Sequence, residues 1–261
     1  MDSGAYLCRI GIDPDAVETP DFESLARLQR AHVETIPFEN LSITGDPRGR
    51  VPQNGVELAR STLYEKIVEQ QRGGYCFELN GLFCWLLGEL GYDARRVAAR
   101  VLSGGGPGIP ANHHSIIAEL DRSYVVDVGM GTPKLGRPVP IDGEAVAGTT
   151  SDWRVVPDDR PQEDYRLEVA ADDADWSGRY VFTTDARDLA YFRPANDYLQ
   201  TARDSPFTGT HHLSIATPEG YVKCADQELT VVDGSSEHRE TLSTESWYDH
   251  LDSTFGLELQ H

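Results

Sequence analysis

The sequence predicts an α+β fold, with a helical bundle over residues 1–90 followed by an antiparallel β-sheet or barrel. Three observations carry this. Before residue 91, three stretches repeat apolar residues at the period of an amphipathic helix. After Tyr92, short β-branched and aromatic runs are punctuated by Pro, Gly and Asp, as strands joined by turns are. A chain of 261 residues is also long enough to bury a core without disulfide or metal staples.

Residues 22–35, FESLARLQRAHVET, place Phe22, Leu25, Ala26 and Leu28 on one helical face, and Pro37 in IPFENLSI breaks the pattern. VELARSTLYEKIVEQQ (56–71) reads as a second helix, with Leu58, Leu63 and Ile67 inward, stopped by the glycines of RGG (72–74). A third helix runs from about Cys76 to Leu90, with Leu79, Leu82, Phe83, Leu86 and Leu87 inward, and Gly91 ends it. ARRVAARVL (94–102) alternates as a strand does, and SGGGPGIPAN (103–112) is a polar loop. HHSIIAEL (113–120) and SYVVDVGM (123–130) form a hairpin about Asp121-Arg122. YRLEVA, RYVFTT, HHLSIAT, GYVKCA and QELTVVD supply further strands, and ARDLAYF and ESWYDHLDSTFG supply short helices. Boundaries fall near residues 90 and 200.

The chain carries 23 Lys+Arg against 43 Asp+Glu, a formal charge of −20. That balance argues against nucleic acid, which needs a basic patch, and against docking on anionic lipid. No run is apolar enough for a membrane span, and MDSGAYLCRIGIDPDA lacks the basic and apolar regions of a signal peptide, so a cytoplasmic protein is expected. The acidic clusters DPDAVETPDFES, PDDRPQEDY and ADDADW read as solvated surface. Lysines are only three, Lys66, Lys134 and Lys223, and few Lys with many acids suggests a halophilic, high-salt cytoplasm. No Asp-rich calcium loop or Cys-x-x-Cys pair is present, so no metal is expected.

Of the four cysteines, Cys84 in LFCWLLGEL reads as a buried hydrophobe. Cys76 follows a glycine pair and opens an apolar helix. A helix N-terminus favours a thiolate, the form in which cysteine is nucleophilic, and its free N–H groups can hold an oxyanion. Most helix-start cysteines are nonetheless structural, and a nucleophile needs a base. His113 or His114, opening a β-rich run, could supply it, with Asp127 in the next run orienting the imidazole. The bland alternative is an exposed histidine pair, which the chemistry by itself favours. Register leaves the matter open. A turn centred on Leu120 sets His113 opposite Asp127, whereas the polar signal at Asp121–Ser123 sets Asp127 opposite Ile117.

Three ordered motifs then identify a resemblance. Arg-Gly-Gly-x-Cys-x-Glu-x-Asn stands complete at Arg72–Asn80, His32 is followed by IPFENL (36–41), and DVGMG occupies 127–131, with Met130 where Phe is usual. The sequence resembles the arylamine N-acetyltransferase family over nearly its whole length. The resemblance implies a helical bundle at 1–90 carrying the nucleophile, a β-barrel at 91–200 carrying His and Asp, and an α/β lid at 201–261. It also implies a papain-like triad, Cys76, His113 and Asp127, with His114 as the alternative base. Acetyl-CoA would acetylate Cys76, and an arylamine, arylhydrazine or arylhydroxylamine would then take the acetyl group in a ping-pong sequence. Phe38, Met130 and Phe207 are expected to wall the acceptor pocket, and Glu39 and Arg72 to form a structural ion pair. SGGGPGIP lacks the Lys-Ser/Thr of a phosphate loop; its Gly108 is expected to rim the CoA cleft, with Lys134 and Arg137 near the CoA phosphates. A macrolactam-closing amide synthase and a non-catalytic member of the same fold are the other readings. The oligomeric state is not legible.

Overall fold

A computed structural model describes residues 1–17, 19–171 and 175–259. The middle of the acidic ADDADW cluster, 172–174, lies outside the described residues. The N-terminal third contains α1 (Ser3–Arg9), α2 (Phe22–Thr35), α3 (Leu41–Thr44), α4 (Arg60–Tyr64) and α5 (Cys76–Glu89), with a two-residue strand β1 (Phe38–Glu39). Asp21 caps α2, its carboxylate accepting from the Ser24 N–H at 2.8 Å, which satisfies one of the free donors at a helix start. The buried face of α2 runs through Leu25, Leu28, Gln29, His32 and Val33. Every residue of α5 from Cys76 to Leu87 is buried, as befits a helix apolar all round. It is the axle of the N-terminal core.

The expected helix over 56–71 is shorter. Residues 56–59 belong to no helix, α4 begins at Arg60, and residues 65–69 form a π turn. The reason is tertiary. The Val56 N–H donates to Gln200 Oε1 at 2.7 Å, and its carbonyl accepts from Asn196 Nδ2 at 3.0 Å, so this backbone is spoken for from across the fold. The glycines of RGG do not stop the helix either; Gln71, at φ 53°, makes that turn. Gly73 and Gly74 instead let the chain pass against β1. A Cβ on Gly73 would sit 2.2 Å from the Pro37 carbonyl, and the Gly74 carbonyl accepts from the Glu39 N–H at 2.9 Å.

The central strands are β2 (Asp93–Ser103), β3 (Gly106–Pro107), β4 (His113–Glu119), β5 (Ser123–Val126), β6 (Val139–Pro140), β7 (Asp152–Pro157), β8 (Tyr165–Ala170) and β9 (Ser177–Ala186). They form an antiparallel sheet in the order β6-β5-β4-β2-β9-β8-β7, with β3 on β2. Its edge strands β6 and β7 touch, so the sheet curls nearly into a barrel. Val97, Ala99, Ile117, Val125, Trp153, Leu167, Tyr180 and Phe182 fill its interior. The SYVVDVGM strand stops at Val126, leaving Asp127–Met130 free of the ladder.

A short 3₁₀ segment, Leu189–Phe192, runs into α6 (Arg193–Thr201), of which the sequence reading held only the ARDLAYF portion. Strands β10 (His212–Thr217), β11 (Gly220–Ala225), β12 (Glu228–Asp233) and β13 (Ser236–Thr241) extend from β1 as a second antiparallel sheet. The final helix α7 (Thr244–Ser253) packs Trp247 and Leu251 on Leu213, Ile215 and Leu229. Exposed β13, SEHRET, carries Glu237, Arg239 and Glu240, and such charges deter edge-to-edge pairing. Among the described residues no helix is long and apolar enough to cross a membrane.

Candidate active site

Cys76 is the first residue of α5 and is 4% exposed. Two glutamates fix the start of this helix. The Glu78 carboxylate reaches back to accept from the Tyr75 N–H at 3.0 Å, and Lys66 Nζ donates to Glu78 Oε1 at 2.7 Å. Glu39, fully buried, takes Arg72 at 2.7 Å, Lys66 at 3.4 Å and the Leu41 N–H at 2.6 Å. Burial raises its carboxyl, but the two cations win and hold it at about 2. The expected Glu39–Arg72 pair is therefore part of a four-member network that locks β1 to the nucleophile helix, and Lys66 is its missed member. Only its spacing, ten residues before Cys76 on an otherwise lysine-poor chain, could have drawn attention to it.

Strands β4 and β5 pair with Ile117 opposite Val125, so the hairpin centres on Asp121, between the two registers the sequence left open. One step past the ladder, Asp127 is level with Ser115, and His113 is its diagonal neighbour on the same face. That diagonal is within reach of two side chains: His113 Nε2 lies 2.7 Å from Asp127 Oδ2. The Cys76 sulfur lies near enough to act on the same imidazole. Burial works against the imidazolium, but the Asp127 carboxylate and the Cys76 sulfur more than offset it, raising His113 to about 10. The same pairing keeps the buried Asp127 carboxyl below its ordinary value, although burial pushes it up.

The strand pleat sends the two histidines to opposite faces. His114 points to the opposite face, 4.6 Å from the Phe192 ring and 5.6 Å from Phe77. Burial there, with Arg96 and His113 nearby, lowers it to about 3, so it is neutral.

Asn80, the last residue of the Arg72–Asn80 motif, holds the Asp127 loop. Its Nδ2 donates to Asp127 Oδ1 at 2.8 Å and to the His114 carbonyl at 2.7 Å. Its Oδ1 accepts from the Val128 and Gly129 N–H groups at 2.8 and 3.2 Å. Gly129 crosses directly over the nucleophile; a Cβ there would lie 2.8 Å from both the Cα and the carbonyl oxygen of Cys76. Tyr180 sets its ring, tilted, 5.1 Å from His113 and donates its hydroxyl to Ser115. Asn80 and Tyr180 are absent from the residues the sequence marks as site groups, although Asn80 closes the Arg72–Asn80 motif.

Cys76 and His113 open onto a cavity of about 640 Å³ between the barrel and the C-terminal sheet. Phe38, Gly108, Met130 and Phe207 all line it, and the Phe38 and Phe207 rings lie 6.2 Å apart. Lys134 and Arg137 are not brought to it. Lys134 Nζ donates to the Met130 carbonyl at 3.1 Å and sits over the Phe38 ring, where burial lowers it to about 7. The Arg137 guanidinium rests 5.7 Å above the Phe22 ring. Arg179 and Lys223 are the cations that do line the cavity. Among the described residues no group of three His, Cys, Asp or Glu side chains is arranged to hold a metal ion.

A cysteine at a helix start, a histidine beside it, and a carboxylate bonded to the histidine suit an acyl-transfer site. Comparisons with known proteins agree with that chemistry. A family model described as N-acetyltransferase matches residues 21–261. An arylamine N-acetyltransferase of Mycolicibacterium smegmatis is 31% identical over 99% of this chain and 93% of its own. Human arylamine N-acetyltransferase 1 is 27% identical over 84% of this chain and 79% of its own. The crystal structure of an arylamine N-acetyltransferase from Bacillus cereus, described as having a unique Cys-His-Glu triad, superposes with a TM-score of 0.89 at 27% identity, covering 99% and 100% of the two chains. This chain carries Asp127 behind its histidine rather than glutamate. The Mycobacterium marinum enzyme in complex with CoA superposes with a TM-score of 0.86 at 26% identity, over 98% and 93% of the two chains. With the motifs, the fold and these relatives in agreement, the chain belongs to the arylamine N-acetyltransferase family.

Proposed function

We infer that this protein transfers acetyl from acetyl-CoA to aromatic amines, hydrazines or hydroxylamines through an acetyl-Cys76 intermediate. The observation that carries the reading is His113 bonded to Asp127, with the Cys76 sulfur near enough to act on the imidazole and both residues opening on one cleft. In the first half-reaction the Cys76 thiolate attacks the thioester carbonyl and forms a tetrahedral oxyanion. Free N–H groups at the start of α5, that of Cys76 foremost, face that charge. The C–S bond to CoA breaks, and His113 gives its proton to the departing sulfur. In the second half-reaction the amine nitrogen attacks acetyl-Cys76, His113 takes the nitrogen's proton, and the Cys76 sulfur leaves. Asp127 fixes the imidazole and stabilises its charge throughout. The helical part thus supplies the nucleophile, the barrel supplies base and carboxylate, and the C-terminal sheet covers the cleft.

Intact-protein mass after mixing with acetyl-CoA tests this. One acetyl group is expected on the wild type and none on Cys76→Ala, and an added arylamine should discharge it. A folded wild type with a free thiol and no adduct would overturn the reading.

A further inference from the structure

Beyond Val126 the chain leaves the ladder of the barrel, yet this stretch carries much of the site. Asp127 backs His113, Gly129 crosses Cys76, and residues 129–132 line the cleft. Backbone carbonyls outside a ladder need other partners, and here side chains supply them. Gln29 Nε2 on α2 donates to the Leu135 carbonyl at 2.7 Å and to the Asp127 carbonyl at 3.4 Å. Arg179 on β9 donates to the Thr132 carbonyl at 3.0 Å. Asn80 on α5 holds the Val128 and Gly129 N–H groups. The Met130 carbonyl, midway along, falls to Lys134, whose Nζ donates to it at 3.1 Å.

Lys134 is an unexpected residue for that task. Lysines number three in a chain of net charge −20, and Lys66 has two glutamates for partners. Among the described residues Lys134 has no carboxylate within salt-bridge distance. Its ammonium is set instead over the Phe38 ring, 5.5 Å from the centroid, where the electron-rich face attracts a cation. Asp127 is close enough for its carboxylate to favour that ammonium, and His32, facing it from α2, is kept neutral by burial. Lys134 is not among the residues lining the cleft, so whatever it does there passes through Met130 and Phe38. Phe38 immediately precedes Glu39, the carboxylate that binds Arg72 and Lys66. One ammonium therefore ties the loop over the nucleophile to the strand that fixes the nucleophile's helix.

We propose that Lys134 is a positioning residue for acetyl transfer, its ammonium clamping the Met130 carbonyl against the Phe38 ring and so holding the Gly129 crossing in place over Cys76. This rests on the acetyl-transfer reading above. Without the ammonium, the stretch keeps Gln29, Asn80 and Arg179 as partners, so the chain still folds. What loosens is the wall of the cleft beside the nucleophile. The rate of the chemical step then falls, while capture of acetyl-CoA is spared, because Lys134 touches neither the cleft nor its contents.

Two variants separate the charge from the stem that carries it. Lys134→Met keeps the alkyl stem and removes the ammonium, and Lys134→Arg restores a charged donor. Amide hydrogen exchange over residues 127–135, read by mass on the unacetylated protein, should quicken about tenfold or more in Lys134→Met, the scale of a lost charge-assisted hydrogen bond, and stay near wild type in Lys134→Arg. Single-turnover acetylation of Cys76 is then followed against acetyl-CoA concentration. Lys134→Met should lower the saturating rate constant about tenfold or more with the half-saturating concentration within about twofold of wild type, and Lys134→Arg should recover most of the rate. A wild type that takes no acetyl group would overturn the acetyl-transfer reading, whereas the exchange measurement judges the clamp by itself. Unchanged exchange in Lys134→Met, or acetylation as fast as in the wild type, would overturn the proposal. So would a loss carried by the half-saturating concentration, which would assign Lys134 to donor binding. An equal loss in both variants, with a lowered melting temperature, would likewise overturn it by reducing Lys134 to packing.

Discussion

Replacing Asn80 by alanine tests how the site is assembled. Asn80 is fully buried and makes four hydrogen bonds, two to the Asp127 carboxylate and the His114 carbonyl, two from the Val128 and Gly129 N–H groups. The bond to the carboxylate is charge-assisted, worth about 1.5–3 kcal/mol, and the neutral ones contribute about 1 kcal/mol each. Gly129 keeps a second acceptor in Asp127 Oδ1 at 2.9 Å, so its loss is partial. The expected cost is about 4 kcal/mol, or about 10 °C in melting temperature for a chain of this size. A second readout separates this from simple loosening. Asn80 helps keep Asp127 ionised, and Asp127 is what raises His113 to about 10. Without Asn80 the imidazolium is less supported and gives up its proton at lower pH. The rate of Cys76 acetylation, followed by mass across alkaline pH, should therefore fall off earlier in Asn80→Ala than in the wild type. An unmoved alkaline limb, with an unchanged melting temperature, would refute the idea that Asn80 holds the triad.

Three further outcomes are expected. Gly129→Ala should lower acetylation by about a hundredfold, the scale of a 1 Å misplacement at a reacting centre. Gly131→Ala, whose Cβ meets nothing within 4 Å, should react normally, and comparable rates for the two would contradict the close-approach argument. His32 and His114 are both lowered to about 3 by burial, so the unfolded chain binds protons that the native one refuses once pH drops below about 6.5. Stability from these two is complete above that pH and lost as pH falls towards 3, and a drop of about 3–4 kcal/mol between pH 7 and pH 5 is expected from urea unfolding. Finally, a formal charge of −20 repels itself when unscreened, so melting temperature should climb with KCl towards molar salt; a flat dependence would sink the salt-adaptation argument.

The relation between sequence and site is clearest in the hairpin. Composition and turn residues at Asp121-Arg122 are enough to place two antiparallel strands, because turn chemistry is local. They do not place His113 against Asp127, since a one-residue change of register turns every side chain over, and the register is fixed by packing on both faces. Ile116 and Ala118 lie in the helical core while Ile117 lies in the barrel core, and this parity puts His113, rather than His114, on the side of Asp127. The helix over 56–71 failed at its start for a kindred reason: apolar spacing reports what a segment can do alone, whereas the Val56 backbone is held by Asn196 and Gln200, about 140 residues on.

By itself the sequence determined the helical start and β-rich remainder, the nucleophile at a helix N-terminus, and the three motifs that mark the family, because periodicity, capping and turn propensity are properties of neighbours along the chain. Tertiary structure alone decided that the motif glycines serve close approach rather than helix termination, and that Lys66 shares its charge between two buried glutamates. It also turned Lys134 and Arg137 away from the cleft and brought Arg179, Ser214 and Lys223 into it. Each of those depends on which strands and helices meet. That is set by burial of side chains far apart in sequence, which no local pattern encodes.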